Sequence, residues 1–217
     1  RIQLDEILRD DPTNAPANLL LARIAASEGA ASMDSAVQYY QRAIYGLWPD
    51  NPLHHRIDTR FELAHFLASE DRIEELRAEL IILASDIRDD PGQLLNTGYL
   101  MLFAHAPAQA ETVFTRVLGR YPRNAEALAG LGKAQLETGN FAASEQTFLR
   151  AARANPENLE VRKQLALVQQ IRALNPKRRG LGIYVSADRA GHLLIITLDR
   201  LAACADRKSL PPEVQDD

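Results

Sequence analysis

The chain has 217 residues, of which 46% are hydrophobic, 25% are charged and only 6% are aromatic. This composition is typical of a globular protein, and the length allows one large domain or two small ones. The formal net charge of −4 argues against a broad basic surface for nucleic acid, and the single cysteine excludes an internal disulfide framework and any multi-cysteine metal site.

The sequence leaves the cellular location open. No stretch reaches the ~20 consecutive apolar residues that a transmembrane helix needs. The chain begins at Arg1 without an initiator methionine. Both a cytoplasmic location and export or anchoring through a missing N-terminal segment are therefore compatible with it.

Prolines recur along the chain with separations of 31 to 39 residues. These separate Pro12 from Pro49, Pro52 from Pro91, Pro91 from Pro122, and Pro122 from Pro156. Proline ends an incoming helix because it lacks the backbone N–H and restricts the residue before it. Asn14, Asn124 and Asn158 each follow a proline by two residues, where the side chain can cap the next helix. One helix is therefore predicted to end, and another to begin, at these positions.

The segments between the prolines have amphipathic helical patterns that come in pairs. A single short helix is predicted over 2–9, within a partial unit that spans 1–14. Neither helix of a later pair is long enough to bury its apolar stripe alone, so each pair must pack on its neighbours. The pairs are predicted over 15–52 (with extra residues in its turn at 30–33), 53–90, 91–124 and 125–158.

The last of these pairs has the clearest pattern. Its first helix is predicted over 125–137, and small residues such as Gly132 would let the two helices approach closely while Phe148 fills the space between them. The positions that define the pattern are Leu128, Leu131, Gly132, Ser144, Phe148, Ala151 and Pro156.

This pattern resembles the tetratricopeptide repeat (TPR). The preceding pair repeats it at a 34-residue offset, with Gly98 and Phe114 at the matching positions, and the resemblance is clearest in residues 91–158. It implies an all-α fold, a right-handed α-solenoid of antiparallel helix pairs. We expect 159–205 to be a divergent capping unit. Its first helix is predicted over 159–173, with Val161 on the apolar stripe, and its last helix is predicted to begin near residue 187 with Ser186 as the cap. We expect 206–217 to be a disordered tail.

In this family the first helix of each pair lines a concave groove, which implies a set of groove residues. Tyr99 and Phe103 lie one turn apart and could receive apolar anchors of a peptide. Chaperone-binding members hold a terminal carboxylate with a Lys/Asn/Arg clamp, which this chain lacks apart from scattered residues. The implied groove positions are Leu19, Arg23, Phe61, Glu62, His65, Leu95, Asn96, Tyr99, Phe103, Lys133, Glu137, Lys163 and Leu167.

The resemblance therefore implies a non-catalytic scaffold, of a bacterial type, that binds a peptide or protein segment in the groove. We expect no catalytic residue, metal site, cofactor or nucleic-acid partner. An RNA-binding helical repeat would need basic and polar readers at regular intervals, which the groove positions do not supply. Self-association through the repeat ends or the terminal helix, giving a homo-oligomer, is an alternative.

A second alternative, from another class, is a metal-dependent enzyme or enzyme-accessory domain. His55, Asp58, Glu62 and His65 are spaced by three and four residues, which places them on one face of a helix. Glu62 and His65 have the Glu-x-x-His spacing of di-iron bundles. The chain has no second motif of this kind, so we interpret the cluster as an acidic spot in the groove.

Overall fold

The computed structural model describes residues 2–174 and 182–209, with the backbone alone at 30, 200 and 203–209. Within these residues the chain is all-α, and extended pairing is limited to a single bridge between Asn14 and Leu47. The helices are α1 (Ile2–Asp10), α2 (Ala15–Ser27), α3 (Met33–Tyr45), α4 (Pro52–Ser69), α5 (Ile73–Asp86), α6 (Pro91–Phe103), α7 (Pro107–Arg120), α8 (Ala125–Glu137), α9 (Phe141–Ala154), α10 (Leu159–Ala173) and α11 (Ile183–Ser209).

The three predicted asparagine caps are confirmed. The side-chain oxygens of Asn14, Asn124 and Asn158 accept hydrogen bonds from the backbone N–H three residues later, at 3.0, 2.8 and 3.0 Å. The junction before α6 differs, because Asp90 is the cap and Pro91 is the first helical residue. Proline is well suited to that position, since its missing N–H would have no partner within the helix.

The sequence predicted most helix boundaries well, including those of α8 and α10. The extra residues in the first turn form a short 3₁₀ helix, Ala30–Ser32. The start of the last helix was predicted wrongly: α11 begins at Ile183 rather than near 187, so Ser186 lies inside it instead of capping it. Its apolar residues continue the helical pattern upstream of Ser186, which extends the helix towards its N-terminus.

The helices stack as antiparallel pairs, α2 with α3, α4 with α5, α6 with α7 and α8 with α9, after which α10 packs on α9. A single hydrophobic core runs through the stack from Ala22 in α2 to Val168 in α10. The fold is thus an all-α solenoid. None of the helices in the described part of the chain is long and apolar enough to cross a membrane.

Glycines on the first helices allow phenylalanines of the second helices to insert between neighbouring repeats. A Cβ atom on Gly98 would lie 2.7 Å from the ring of Phe114, and one on Gly130 would lie closer still to the same buried ring. Gly132 packs against the ring of Phe148 in the same way. These contacts set the close spacing of the first helices, and that spacing shapes the concave surface.

A buried ion network joins α4 to α5. The guanidinium of Arg60, only 2% exposed, donates hydrogen bonds to Glu79 at 2.6 Å and to Asp86 at 3.1 Å. It also donates to the hydroxyl of Tyr45 and lies 5.3 Å from the centre of that ring. The network satisfies a charge that would otherwise be very costly to bury.

The terminal helix α11 contributes little to the core. Leu193 is half-buried and faces Phe141 and Ile171 across a cavity of about 400 Å³. Leu194 and Leu198, in contrast, are exposed. The end of the core is covered mainly by α10, through Val161 and Val168.

Candidate functional site

Side chains of successive first helices meet on one side of the stack. Arg23 of α2 contacts Glu62 of α4, and Tyr99 of α6 contacts the backbone of Glu126 in α8. The predicted groove residues lie on these helices, and the surface divides into two halves of different character.

In the N-terminal half the predicted charges neutralise each other. The guanidinium of Arg23 donates to both carboxylate oxygens of Glu62, at 2.9 and 2.6 Å, and this hydrogen bonding raises the pKa of Arg23. Leu19 and Phe61 are half-buried and pack against the core, and His65 is exposed. The two charged groups predicted here, Arg23 and Glu62, are thus paired with each other.

In the C-terminal half a cavity of about 240 Å³ opens between three first helices, α6, α8 and α10. It brings together two of the predicted residues, Tyr99 and Lys133. The complete lining is Tyr99, Ala129, Lys133, Phe148, Asn158, Glu160, Val161 and Gln164.

Tyr99 belongs both to the surface and to the core. Its side chain is 40% exposed, yet its hydroxyl donates to the carbonyl of Glu126 at 3.0 Å and its ring meets Phe114 edge-on at 5.2 Å. Burial raises the pKa of Tyr99, and the negative charge of Glu126 adds to the effect. The phenol is therefore held in place as a rigid wall of the cavity.

Lys133 is the positively charged residue that lines this cavity. It is exposed, and no carboxylate in the described part of the chain lies within ion-pair distance of its ammonium group. Glu160, in the same cavity, instead accepts a hydrogen bond from Gln164 at 2.7 Å. Lys133 is therefore available to a ligand.

The other predicted groove residues lie outside this cavity. Leu95, predicted as a groove position, is only 8% exposed and belongs to the core. Asn96, Phe103, Glu137 and Lys163 are exposed. Leu167 is half-buried on α10.

Comparison with known proteins agrees with the geometry. The sequence model of the Tetratricopeptide repeat family matches residues 103–177, which include α7 to α10. This match assigns tetratricopeptide repeats to residues 103–177. No curated protein sequence matches the chain significantly.

Solved structures of TPR proteins share the fold along most of the chain. YrrB, whose structure is described as that of a TPR protein with an unusual peptide-binding site, is 12% identical with a TM-score of 0.53, covering 94% of this chain and 97% of its own. MamA from Desulfovibrio magneticus RS-1 is 15% identical (TM-score 0.54, 86% and 95% covered). A TPR protein from Parabacteroides merdae ATCC 43184 is 17% identical (TM-score 0.56, 89% and 77% covered).

The cavity on the concave surface is lined by residues that the sequence analysis assigned to other roles or did not single out. Asn158 was predicted only as a helix cap and Val161 only as a core residue, yet both line the cavity. Glu160 and Gln164 were not singled out, although their spacing of four residues on α10 places them on one face. The groove positions predicted on α10 were Lys163 and Leu167, whereas the α10 residues that line the cavity are Glu160, Val161 and Gln164.

The alternative metal cluster is not assembled in the TPR stack. The ring of His55 stacks on Trp48 at 4.3 Å, and its Nε2 lies 3.3 Å from Asp50. Glu62 is bonded to Arg23 on the neighbouring repeat. Residues 2–174 and 182–209 contain no group of three or more His, Cys, Asp or Glu side chains that could hold a metal ion.

Proposed function

We propose that the chain is a non-catalytic interaction scaffold whose concave surface binds an extended segment of a protein partner, centred on its C-terminal half. TPR domains are in general interaction modules, and the fold neighbour YrrB is described as having a peptide-binding site. The observation that carries the proposal is the cavity between α6, α8 and α10. It is lined by Lys133, whose ammonium group has no carboxylate within ion-pair distance among the described residues.

The lining of the cavity suits a peptide side chain flanked by backbone. Tyr99 provides exposed aromatic surface, while Asn158 and Gln164 carry amide groups. A binding site of this kind combines an apolar wall with a few polar groups that orient the ligand. The Lys133 ammonium would attract a carboxylate or a backbone carbonyl of the bound segment.

The N-terminal half is less suited to binding charged groups. A ligand that used Arg23 would first have to separate it from Glu62, losing two short hydrogen bonds. Lys133 has no such competitor within ion-pair distance in the described chain. We therefore place the energetic centre of the interaction at Lys133 rather than at Arg23.

Photo-crosslinking in the native organism tests this function. A photoreactive amino acid at Gln164, which lines the cavity, should form a conjugate with the partner, and one at Gln146, exposed on the second helix α9, should not. Lys133→Glu should reduce the conjugate formed at position 164. Arg9→Glu makes the same charge change on α1, at an exposed residue outside the predicted groove and the cavity, and should leave the conjugate unchanged.

Two results would contradict the proposal. Equal conjugates at positions 164 and 146 would show that the partner does not select the concave side. An equal loss with Lys133→Glu and Arg9→Glu would show that only the overall charge matters, and that the cavity does not bind the segment.

A second candidate function is self-association through α11. Leu194, Leu198 and Leu201 lie on one face of this helix and are 59%, 52% and 66% exposed. An exposed apolar face of this kind is typical of an association surface. Sedimentation analysis should show an oligomer that dissociates with Leu194→Glu plus Leu198→Glu. The oligomer should persist in the control variant Ile81→Glu plus Ile82→Glu, which alters two exposed residues of α5.

A further inference from the structure

A separate cavity of about 520 Å³ lies at the edge of the solenoid, where α9 ends beside the turn between α7 and α8. It shares no lining residue with the concave cavity. Three of its six lining residues are arginines, although the chain as a whole has a net charge of −4. The lining residues are Pro122, Arg123, Leu128, Arg150, Arg153 and Ala154.

The charges of these arginines are not compensated within the described residues. Arg150 donates one hydrogen bond, to the carbonyl of Pro122 at 3.2 Å, and the guanidinium groups of Arg123 and Arg153 make neither a hydrogen bond nor an ion pair there. Many other arginines of the chain do pair with carboxylates, namely Arg23, Arg60, Arg72, Arg77, Arg120 and Arg172.

Stabilisation of helix ends does not account for the whole cluster. Arg153 lies in the last turn of α9, where a cation interacts favourably with the helix dipole. Arg123, however, lies in the turn outside both α7 and α8. Its charge is therefore not explained by a position within the last turn of a helix.

At the equivalent place one repeat earlier, the matching arginine and carboxylate have partners within the chain. Arg116, 34 residues before Arg150, donates to three backbone carbonyls at the end of α5, those of Ala84, Ile87 and Arg88. Asp89 is 34 residues before Arg123, and its carboxylate pairs with Arg120 at 2.6 Å. The later junction thus has a cation where the earlier one has a carboxylate, and its Arg150 bonds one carbonyl instead of three.

We propose that this cavity binds clustered carboxylates of an acidic protein segment. Guanidinium groups bind carboxylates through paired hydrogen bonds, and the donors of Arg123 and Arg153 are free to form them. Pro122 and Ala154, which are exposed, add apolar surface that can pack against the aliphatic parts of Asp and Glu side chains. A free inorganic anion has no carbon atoms to use that surface, so the chemistry favours a peptide.

Fluorescence anisotropy on the full chain tests this site. The probe is a fluorescein-labelled peptide of alternating Glu and Asp, and its counterpart of alternating Gln and Asn serves as the neutral probe. The acidic peptide should bind in a salt-dependent manner and the neutral one should not. Arg123→Gln with Arg153→Gln should weaken binding about tenfold or more, because two charge-assisted contacts are lost.

The matched control is Arg9→Gln with Arg162→Gln, which removes two exposed arginines that lie outside the cavity. Both double variants have the same net charge, and all four side chains are exposed, so both should melt like the parent chain. If the cavity variant melts early, Arg123→Gln alone carries the same test, since that side chain makes no hydrogen bond in the described chain.

Two results would overturn the proposal. An equal loss of affinity in the cavity variant and the control variant would show binding to the overall charge alone. Competition by inorganic phosphate at concentrations no higher than those of the acidic peptide would show an inorganic anion site instead of a peptide site.

Discussion

Gly132 and Phe148 approach so closely that a Cβ atom on the glycine would lie 2.8 Å from two carbons of the phenylalanine ring. The ring is almost completely buried and cannot move aside without disturbing its neighbours. The hydroxyl of Ser144, also on α9, donates to the carbonyl of Gly132 at 2.7 Å and holds the two helices at this distance.

Gly132→Ala should therefore destabilise the protein. Alanine favours a helix over glycine by about 1 kcal/mol, but overpacking a core of this kind costs about 1–3 kcal/mol. Gly119→Ala on α7 is the control, because a Cβ there meets nothing within 4 Å. It should stabilise by roughly 0.5–1 kcal/mol. Urea unfolding of both variants measures the difference, and a stabilised Gly132→Ala would show that the helices are not in close contact.

Arg60→Met should destabilise the chain by about 3–5 kcal/mol, because it leaves Glu79 and Asp86 largely buried without a cation. Arg23→Met breaks a more exposed pair with Glu62 and should cost about 1 kcal/mol or less. Calorimetric melting of the two variants tests the contrast. Similar costs would mean that Arg60 contributes no more than a surface ion pair.

Stability should decline in alkaline solution as Tyr40 and Tyr99 ionise. Burial raises the pKa of both phenols, and Glu62 and Glu126 respectively raise it further. Above about pH 10 the unfolded chain releases these protons while the folded chain retains them. The free energy of unfolding is therefore complete below that pH and falls as the pH rises through the folded-state values.

Tyr40→Phe with Tyr99→Phe should make this alkaline decline shallower. The measurement is the free energy of urea unfolding at a series of pH values from about 8 to about 11, a range that brackets the ordinary tyrosine pKa. A decline of unchanged steepness in the double variant would contradict the assignment of these two phenols.

Arg116→Met should destabilise more than Arg150→Met. Arg116 donates to three carbonyls at the end of α5, whereas Arg150 donates to one. Each hydrogen bond from a charged donor contributes about 1.5–3 kcal/mol at most, so the difference should be easy to measure by chemical unfolding. Equal costs would show that the two junctions are equivalent, and would remove one argument for an open cavity at Arg150.

The pattern of short-range interactions predicted the helices and how they begin. Asn124 caps α8 through a hydrogen bond that spans three residues, and the small residue at Gly132 signals a close helix contact. Local spacing suffices for such features, because capping and amphipathic periodicity operate within one or two turns. The start of α11 was misplaced because Ser186, a residue type favoured at helix caps, lies inside a longer helix.

The sequence by itself therefore determined the helix pairs and their stacking as a TPR solenoid. Only the tertiary structure decided which groove residues are available to a partner. Arg23 forms an ion pair with Glu62, 39 residues later in the sequence, and Leu95 is buried in the core. Lys133 lines a cavity between three helices and has no carboxylate within ion-pair distance among the described residues. These outcomes depend on how neighbouring repeats are spaced and rotated, and no local pattern within one repeat contains that geometry.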